Sequence, residues 1–243
     1  MEKLDAWIKS SVKPFLKLSG EQEDYHYFLR DEMRPIIHDE NAFYSCADGV
    51  VVYNKILRSG SQKIDTKGVE YSVDDVLGKE GLLDGPFLIC GVFMTFADIH
   101  LNRAPYSSII NYEMMDPIES FNISMDATEE RIFGDLKIRK FEKSRENQYL
   151  KNNARMLNRF YIPSLDYSYY IVQIADYEVN VIQHFTTKQK SMFHQGERFS
   201  FVRWGSQCDL IMPLRKDIKI KPLVPEMVHV KAGIDKVASF VVK

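Results

Sequence analysis

Residues 201–211 have the sequence FVRWGSQCDLI, in which the Gly205-Ser206 pair separates two β-rich apolar halves. A serine that follows a residue without a side chain suits one unusual reaction. Its hydroxyl can attack the carbonyl of Gly205 and turn the amide into an ester. Elimination and hydrolysis then cut the chain and leave a pyruvoyl group where Ser206 stood, an electron-withdrawing group that does the work of pyridoxal phosphate. Gly-Ser is also a common dipeptide, so the plainer alternative is a turn at a strand edge.

The composition of this 243-residue chain predicts one substantial core. Hydrophobic residues make up 45% of it, and a chain of this length does not require a second domain. The net charge of −2 gives no reason to expect nucleic acid as a partner. Cys46, Cys90 and Cys208 form no CxxC pair, which favours buried thiols in a reducing compartment over a disulfide framework or a zinc site.

The sequence contains no candidate for a membrane-crossing or secretory segment. The first residues lack the apolar core and small-residue cleavage site of a signal peptide. The longest apolar run, Pro86 to Ala97, is well short of the ~20 residues that cross a bilayer. We therefore expect a protein that is soluble or bound peripherally to a membrane.

Residues 1–33 are predicted to form an N-terminal amphipathic helical segment, and residues 34–243 a single domain. The first helix kinks or restarts at Pro14, and a short second helix ends near Met33. Such a basic helix can lie in a membrane interface with its lysines on anionic head groups. The equally weighted alternative is that its apolar face packs on the domain. The apolar residues are Leu4, Trp7, Ile8, Val12, Phe15, Leu16 and Leu18, and Lys3, Lys9, Lys13 and Lys17 lie among them.

The rest of the chain predicts a mainly β fold of the α+β type. Strands are expected at 50–53, 62–65 and 165–182, and a central strand at 87–96 because that run is apolar on both faces. A short helix is expected between Ser72, as its cap, and Gly78. Residues 126–158 are predicted to be loops with short elements.

The last sixty residues predict folded-over hairpins. Gly196 and Gly233 each lie between short apolar strands, in segments that faintly repeat one another. Short strands joined by glycine turns are typical of a compact β-barrel or sandwich.

Three separated segments place polar residues in apolar, strand-like surroundings. They are 45–50 (SCADGV), 96–105 (FADIHLNRAP) and 203–206 (RWGS). An acid, a histidine and a serine from different segments are what a nucleophile, a base and an orienting group require, in any chain order. Taken singly, Asp48 is also read as part of an Asp-Gly hairpin turn, and His100 as a core histidine with a backbone partner.

These segments resemble the pyruvoyl-dependent phosphatidylserine decarboxylase family. The motifs ADGV at 47–50, HLNRAP at 100–105 and GSQCDL at 205–210 occur in the family's order and at its approximate separations. Residues 34–36 (RPI), 71–78 (YSVDDVLG), 172–175 (VQIA) and 195–199 (QGERF) also resemble it. The similarity covers about residues 34 to 213 and is closest to the shorter bacterial and archaeal branch.

The resemblance implies a role for each matching residue. Ser206 would be the self-cleaving nucleophile that becomes the pyruvoyl cofactor, and Gly205 would supply the attacked carbonyl. Asp48 matches the acidic residue that supports self-processing. His100 matches the histidine of the decarboxylation step, in which the substrate amine forms a Schiff base and loses CO2. We choose His100 as proton donor because imidazole titrates near working pH.

Arg103 is the main departure from the family pattern. Larger family members carry a second histidine at this position, so the base for self-cleavage is unassigned, although the shorter branch shares an arginine here. Arg103 itself is a candidate for recognising a substrate carboxylate or phosphate, or else forms a surface salt bridge. Asn153-Ala154 and Asp176-Tyr177 also depart from the family and are expected to alter the substrate pocket.

Three functions follow as alternatives. The first is decarboxylation of phosphatidylserine to phosphatidylethanolamine by a cytoplasmic enzyme, peripheral on the inner face of a membrane. The second keeps the chemistry but acts on a soluble amino acid or small phospho-compound. The third is a relative that does not cleave itself and acts as a binding module. No pyridoxal phosphate and no metal site are expected, because the histidines and cysteines lack ligand spacing. The oligomeric state is left open, a homo-oligomer included.

Overall fold

The computed structural model describes residues 1–18, 30–35, 38–66, 69–115, 129, 132–133, 153–176, 182–203 and 206–242. The helical elements within those residues are α1 (Leu4–Trp7), a π-helical turn (Ile8–Val12), α2 (Lys13–Phe15), α3 (Val73–Leu77) and a 3-10 turn (Pro163–Leu165). The strands are β1 (Glu2–Lys3), β2 (Ala42–Tyr44), β3 (Gly49–Leu57), β4 (Lys63–Thr66), β5 (Val69–Ser72), β6 (Phe87–Met94), β7 (Leu101–Arg103), β8 (Ser108–Met115), β9 (Arg155–Ile162), β10 (Tyr167–Ala175), β11 (Ile182–His184), β12 (Ser191–Phe193), β13 (Arg198–Val202), β14 (Ser206–Pro213), β15 (Ile218–Pro222), β16 (Val228–Val230) and β17 (Lys236–Val242).

A nine-stranded antiparallel sheet forms the centre of the protein, in the order β1-β16-β3-β6-β14-β10-β9-β8-β12. Every residue of β6 is buried, which confirms the predicted central strand. Its side chains alternate between two cores: Leu88, Cys90 and Val92 pack in one, and Phe87 and Ile89 in the other. A strand covered on both faces is apolar throughout, which is why this run shows no alternation.

Two three-stranded sheets, β11-β13-β7 and β15-β17-β2, cover one face of the large sheet. They contribute Phe199 and Phe240 to the first core, where Phe43 packs edge-on against Phe240. The fold is therefore mainly β and sandwich-like, as predicted. The barrel alternative is wrong for the described strands, because β1 and β12 end the large sheet at opposite edges and do not pair.

The N-terminal segment covers the other face. Trp7, Val12 and Phe15 are buried in the second core together with the apolar residues of α3. The four lysines of the segment are exposed. The backbone stays right-handed helical from α1 through the π-helical turn into α2, so the helix does not restart at Pro14; the π-helical turn lies directly before it. The predicted second helix lies mostly outside the described residues, and residues 30–33 are not helical.

The predicted short helix is confirmed with its boundaries, whereas the strands predicted at 50–53, 62–65 and 165–182 are observed as β3, β4 and β10 with other bounds. Ser72 caps α3 in a reciprocal capping box with Asp75, and Gly78 ends the helix. Gly233 adopts a left-handed conformation (φ 66°), and a Cβ there would lie 3.3 Å from the Cα of Gly196. The two glycine turns noticed in the sequence therefore touch each other in space.

The prediction of loops across residues 126–158 is wrong at its end, because β9 begins at Arg155. Most of that range lies outside the described residues. Arg155 is buried and donates through one terminal nitrogen to the carbonyls of Asp75 (3.1 Å) and Val76 (2.9 Å) at the end of α3. Its charge thus lies at carbonyls near the C-terminal end of a helix, where a cation is stabilised.

Candidate active site

Ser206 is the first residue of β14, at the point where two neighbouring strands end. Its Cα is paired with Met94, the last residue of β6, and with Ala175, the last residue of β10. Met94 and Ala175 are fully buried, as is Gln207 beside Ser206. Gly205 lies outside the described residues. The candidate cleavage position therefore opens a central strand at one end of the large sheet.

The Asp48 segment reaches the same end of the sheet. Phe93 is paired with Gln207 on one side and with Val50 on the other. With strands roughly 5 Å apart, the start of β3 lies about 10 Å from the start of β14. The sequence-predicted acid and serine are thus two strands apart.

Gly49 fixes the position of Asp48 at this edge. A Cβ on Gly49 would lie 2.1 Å from the carbonyl oxygen of Phe93, and its φ of 154° is one that side chains rarely adopt. Only glycine allows β3 to approach β6 this closely. Asp48 and Gly49 therefore lie at the beginning of β3 and do not form the tip of a two-residue hairpin.

Asp48 is held by an arginine that the sequence analysis had placed only within a matching segment. Both terminal nitrogens of Arg34 donate to its carboxylate, at 2.6 and 2.7 Å, and the Ala232 amide donates to it at 2.8 Å. Arg34 also donates to the Ala232 carbonyl at 2.6 Å. Such a bidentate, charge-assisted pair orients the carboxylate rigidly.

His100 lies in the connection between β6 and β7 and is completely buried. Its Nδ1 is 3.0 Å from the carbonyl oxygen of Asp98, and its own carbonyl accepts from the Val202 amide at 3.1 Å. Because a carbonyl can only accept, Nδ1 carries the hydrogen and Nε2 the lone pair. Burial lowers the pKa of His100 to about 4, although the nearby Asp98 opposes this. His100 therefore does not titrate near working pH as predicted, and the buried imidazole is neutral at pH 7.

Asp98 and His229 form a buried pair beside His100 that the sequence analysis did not identify. His229 Nε2 donates to one carboxylate oxygen of Asp98 at 2.6 Å, and the other oxygen accepts from the Thr95 amide (2.9 Å) and hydroxyl (2.7 Å). Burial alone would raise the pKa of Asp98, but His229 and Thr95 outweigh it, and the pKa is lowered. The sequence did not indicate this pair, because His229 lies on a three-residue strand and its partner Asp98 is remote in sequence.

A buried hydrogen-bond network positions β7 behind His100. Gln173 donates to Asn102 Oδ1 at 2.6 Å and to Ser200 Oγ at 2.8 Å, and it accepts from Asn158 at 2.9 Å. His184 Nε2 donates to Asn158 Oδ1 at 2.6 Å. The large sheet and the β11-β13-β7 sheet are thereby locked together next to the site.

The side chain of Arg103 contacts other parts of the protein. It donates to the carbonyls of Gly196 (2.9 Å) and Glu32 (3.3 Å), pairs with Asp31 at 3.5 Å, and packs against Gly233. These contacts tie the two glycine turns to residues 31–32. They favour a tethering role over the predicted recognition of a substrate anion.

The two smaller departures from the family both lie beside the cleavage position. Asn153 donates to the Ala175 carbonyl at 2.9 Å, and the Ala154 carbonyl accepts from the Ala175 amide at 2.9 Å. Asp176 directly follows β10, and Tyr177 lies outside the described residues. Since Ala175 is paired with the candidate serine, these positions lie next to the candidate site.

Another buried cluster of polar side chains lies on the central strands β3 and β14. Tyr53 donates to Asp209 at 2.6 Å, and Gln207 donates to both, at 2.7 and 2.8 Å. Burial raises the pKa of Asp209 to about 6, although the hydrogen bonds from Tyr53 and Gln207 oppose it. The missing side chain of Gly91 leaves the space that the Tyr53 ring fills.

Among the residues that the structure describes, no group of histidines, cysteines and acids has the arrangement of a metal site. The three cysteines are free and buried, as predicted. No helix in the described part of the chain is long and apolar enough to cross a membrane.

The phosphatidylserine decarboxylase family profile matches residues 23–237, so the chain belongs to this family of carboxy-lyases. A phosphatidylserine decarboxylase proenzyme of Erythrobacter litoralis is 26% identical over 186 residues, which cover 76% of this chain and 62% of the relative. One from Pelagibacter ubique is 27% identical over 187 residues, 76% of this chain and 67% of its own.

An archaeal relative matches over a larger share of its own length. A proenzyme of Methanocaldococcus jannaschii, named as a proposed archaetidylserine decarboxylase, is 25% identical over 195 residues, 80% of this chain and 81% of the relative. Relatives from both bacteria and archaea confirm the resemblance stated from the motifs. The chain spans less than two thirds of the Erythrobacter relative.

Proposed function

We propose that this chain is a self-processing, pyruvoyl-dependent decarboxylase that converts phosphatidylserine to phosphatidylethanolamine at a membrane surface. One observation carries the proposal: the strands that follow Asp48 and begin at Ser206 both flank the end of β6, and the His100 carbonyl accepts from Val202, four residues before Ser206. Family membership supplies the reaction class.

Self-processing begins with the bond between Gly205 and Ser206. The Ser206 hydroxyl loses a proton and attacks the Gly205 carbonyl, and the peptide C–N bond breaks as the ester C–O bond forms. Elimination across the serine Cα–Cβ bond releases a carboxylate on Gly205. The resulting enamine isomerises to an imine, and one water molecule hydrolyses it to the ketone with release of ammonia.

His100 is the base that we assign to the attack. Its Nδ1–H is committed to the Asp98 carbonyl, so the lone pair on Nε2 is the proton acceptor. The low pKa of His100 keeps that lone pair available at pH 7. Arg103 cannot take this role, because a guanidinium does not deprotonate in proteins.

The surroundings of position 206 fit a pyruvoyl group. The paired residues Met94 and Ala175 are aliphatic and buried, so the ketone would be shielded from bulk water. When present, the group supplies the electron sink that stabilises the charge left by departing CO2. Because Nε2 carries a lone pair at pH 7, His100 would first take a proton from the incoming substrate ammonium and would then deliver it to the substrate carbon.

The membrane part of the proposal is supported by the exposed lysines of the N-terminal segment, Lys3, Lys9, Lys13 and Lys17. Because the apolar face of the segment is buried against the protein, we propose electrostatic contact with anionic head groups rather than insertion. We place the enzyme on the inner, cytoplasmic face of a membrane.

Intact mass spectrometry tests self-processing. The wild-type protein should give two chains, residues 1–205 and a chain from 206 that carries a ketone reactive with hydrazine. Ser206→Ala should remain whole, whereas Ser168→Ala, a control on β10, should be cut like the wild type. A wild-type protein that stays whole and lacks a reactive carbonyl overturns the proposal. CO2 release from phosphatidylserine vesicles, compared with free amino acids, then decides the substrate.

A further inference from the structure

A continuous series of contacts connects the N-terminal segment to His100. The Trp7 ring stacks on the His229 ring, with centroids 4.4 Å apart and planes 14° from parallel. His229 donates to the Asp98 carboxylate at 2.6 Å, and the Asp98 carbonyl accepts from His100 at 3.0 Å. All four side chains are 3% exposed or less.

Asp98 is the link, because its side chain and its backbone face different partners. Its carboxylate is fixed by His229 from β16 and by Thr95 within its own turn. With the carboxylate held at both oxygens, the 95–98 turn has one orientation, and so has the Asp98 carbonyl. That carbonyl decides which nitrogen of His100 carries the hydrogen.

His229 is itself fixed from two directions. In the sheet it is paired with Val50 on β3 and with Glu2 on β1, and Trp7 covers its ring. Trp7 in turn stacks on Phe133 at 5.7 Å. The histidine therefore cannot turn away from Asp98 without disturbing the packing of the N-terminal segment.

We propose that His229 is a positioning residue for the active site: through Asp98 it sets the tautomer and orientation of His100, and Trp7 holds it in place. The inference rests on the proposed function of His100 but is tested separately from it. The N-terminal segment is then part of the catalytic apparatus as well as a cover for the second core. Misplacement of a catalytic group by about 1 Å can cost on the order of 100-fold in rate.

The decisive measurement is the tautomer of His100, read from its imidazole nitrogen chemical shifts at pH 7. The Ser206→Ala background keeps the chain whole for this purpose. His229→Gln retains a donor near the position of Nε2, whereas His229→Leu has none. Val12→Ala is the matched control, because it opens a cavity in the same core without removing a polar group.

We expect the Nδ1–H tautomer of His100 in the parent, in His229→Gln and in Val12→Ala, and a mixture of tautomers in His229→Leu. With Ser206 restored, self-cleavage should slow by roughly 10- to 100-fold in His229→Leu and recover in His229→Gln. An unchanged His100 tautomer in His229→Leu overturns the inference. If the wild type never cleaves, the proposed function fails, and the chemical shifts still decide the role of His229.

Discussion

Arg34 holds the carboxylate of Asp48 with both terminal nitrogens, at 2.6 and 2.7 Å, and the two side chains are only 2% and 3% exposed. A buried ion pair adds little net stability compared with an apolar pair of similar size. Removing one partner, however, leaves the other charge buried without compensation. The pair is therefore a rigid mount for the candidate acid.

Replacing Arg34 by methionine should lower the free energy of unfolding by about 3–5 kcal/mol, because Asp48 would remain buried and unpaired. Urea titration measures the loss. Lys79→Met is the control: Lys79 pairs with Glu113, but both side chains are exposed, so this pair should be worth less than about 1 kcal/mol. Equal losses in the two variants would contradict a buried-charge effect.

Gly49→Ala should prevent the site from assembling. The added methyl group meets the Phe93 carbonyl at 2.1 Å, so β3 must move away from β6. We expect a severe loss of stability together with loss of self-cleavage. Gly81→Ala has nothing within 4 Å of the added carbon, and its left-handed backbone should cost only about 1–2 kcal/mol. Cleavage in Gly49→Ala at the wild-type rate would refute the close approach.

Stability should fall as the pH drops from 6.5 to about 4. Over that window the unfolded chain protonates His100 while the folded protein does not, so acid favours unfolding. The full difference corresponds to roughly 3 kcal/mol. His184, whose pKa burial also lowers to about 4, acts in the same direction. His100→Asn should therefore flatten only part of the profile, and an unaltered profile would contradict the burial effect.

Asp209 should change the stability with pH in the opposite direction to His100. Because its folded pKa of about 6 lies above the ordinary 3.8, the folded protein keeps a proton that the unfolded chain releases. Its share of the stability therefore falls as the pH rises from 3.8 to 6 and is constant above that. Asp209→Asn stays neutral and should remove this fall. The test is a series of urea titrations across the window, in which an identical slope for the variant would refute it.

Charge reversal of Lys9, Lys13 and Lys17 to glutamate should weaken binding to vesicles that contain anionic lipid. Each basic residue near such a surface is worth about 1 kcal/mol, so a loss of 100-fold or more is expected without unfolding. Co-sedimentation at low salt measures it. Lys219→Glu with Lys221→Glu, exposed positions on β15, is the control. Equal binding by both variants would mean that the N-terminal segment does not face the membrane.

Most of the fold followed from local patterns in the sequence. The all-apolar run of β6 identified the central strand, and Ser72 with Gly78 bounded α3. The beginning of β9 was missed because Arg155 and Asn158 interrupt its apolar pattern. Both are buried through partners elsewhere in the chain, the end of α3 for Arg155 and Gln173 for Asn158. Because these hydrogen-bond partners are distant in sequence, the residues around Arg155 and Asn158 do not indicate a buried strand.

The candidate site was found through motifs, but its supporting residues were not. Asp48, His100 and Ser206 stand in recognisable segments. Arg34, the partner of Asp48, stands in a segment that was noted only for its resemblance to the family. His229, the partner of Asp98, is 131 residues away in sequence, and the fold brings the two together. The protonation state of His100 was also beyond the sequence, because it depends on complete burial and on one backbone carbonyl.

The segment from Ser206 onward supplies β14, which lies between β6 and β10 near the middle of the large sheet, as well as β16 and β17. If the chain is cut as proposed, this short piece would stay attached to the longer one by strand pairing on both sides of β14. Refolding then becomes a meeting of two molecules, so its midpoint should depend on protein concentration, as for an obligate dimer. Unprocessed Ser206→Ala should refold independently of concentration, so cleavage would turn the folding of one chain into the association of two.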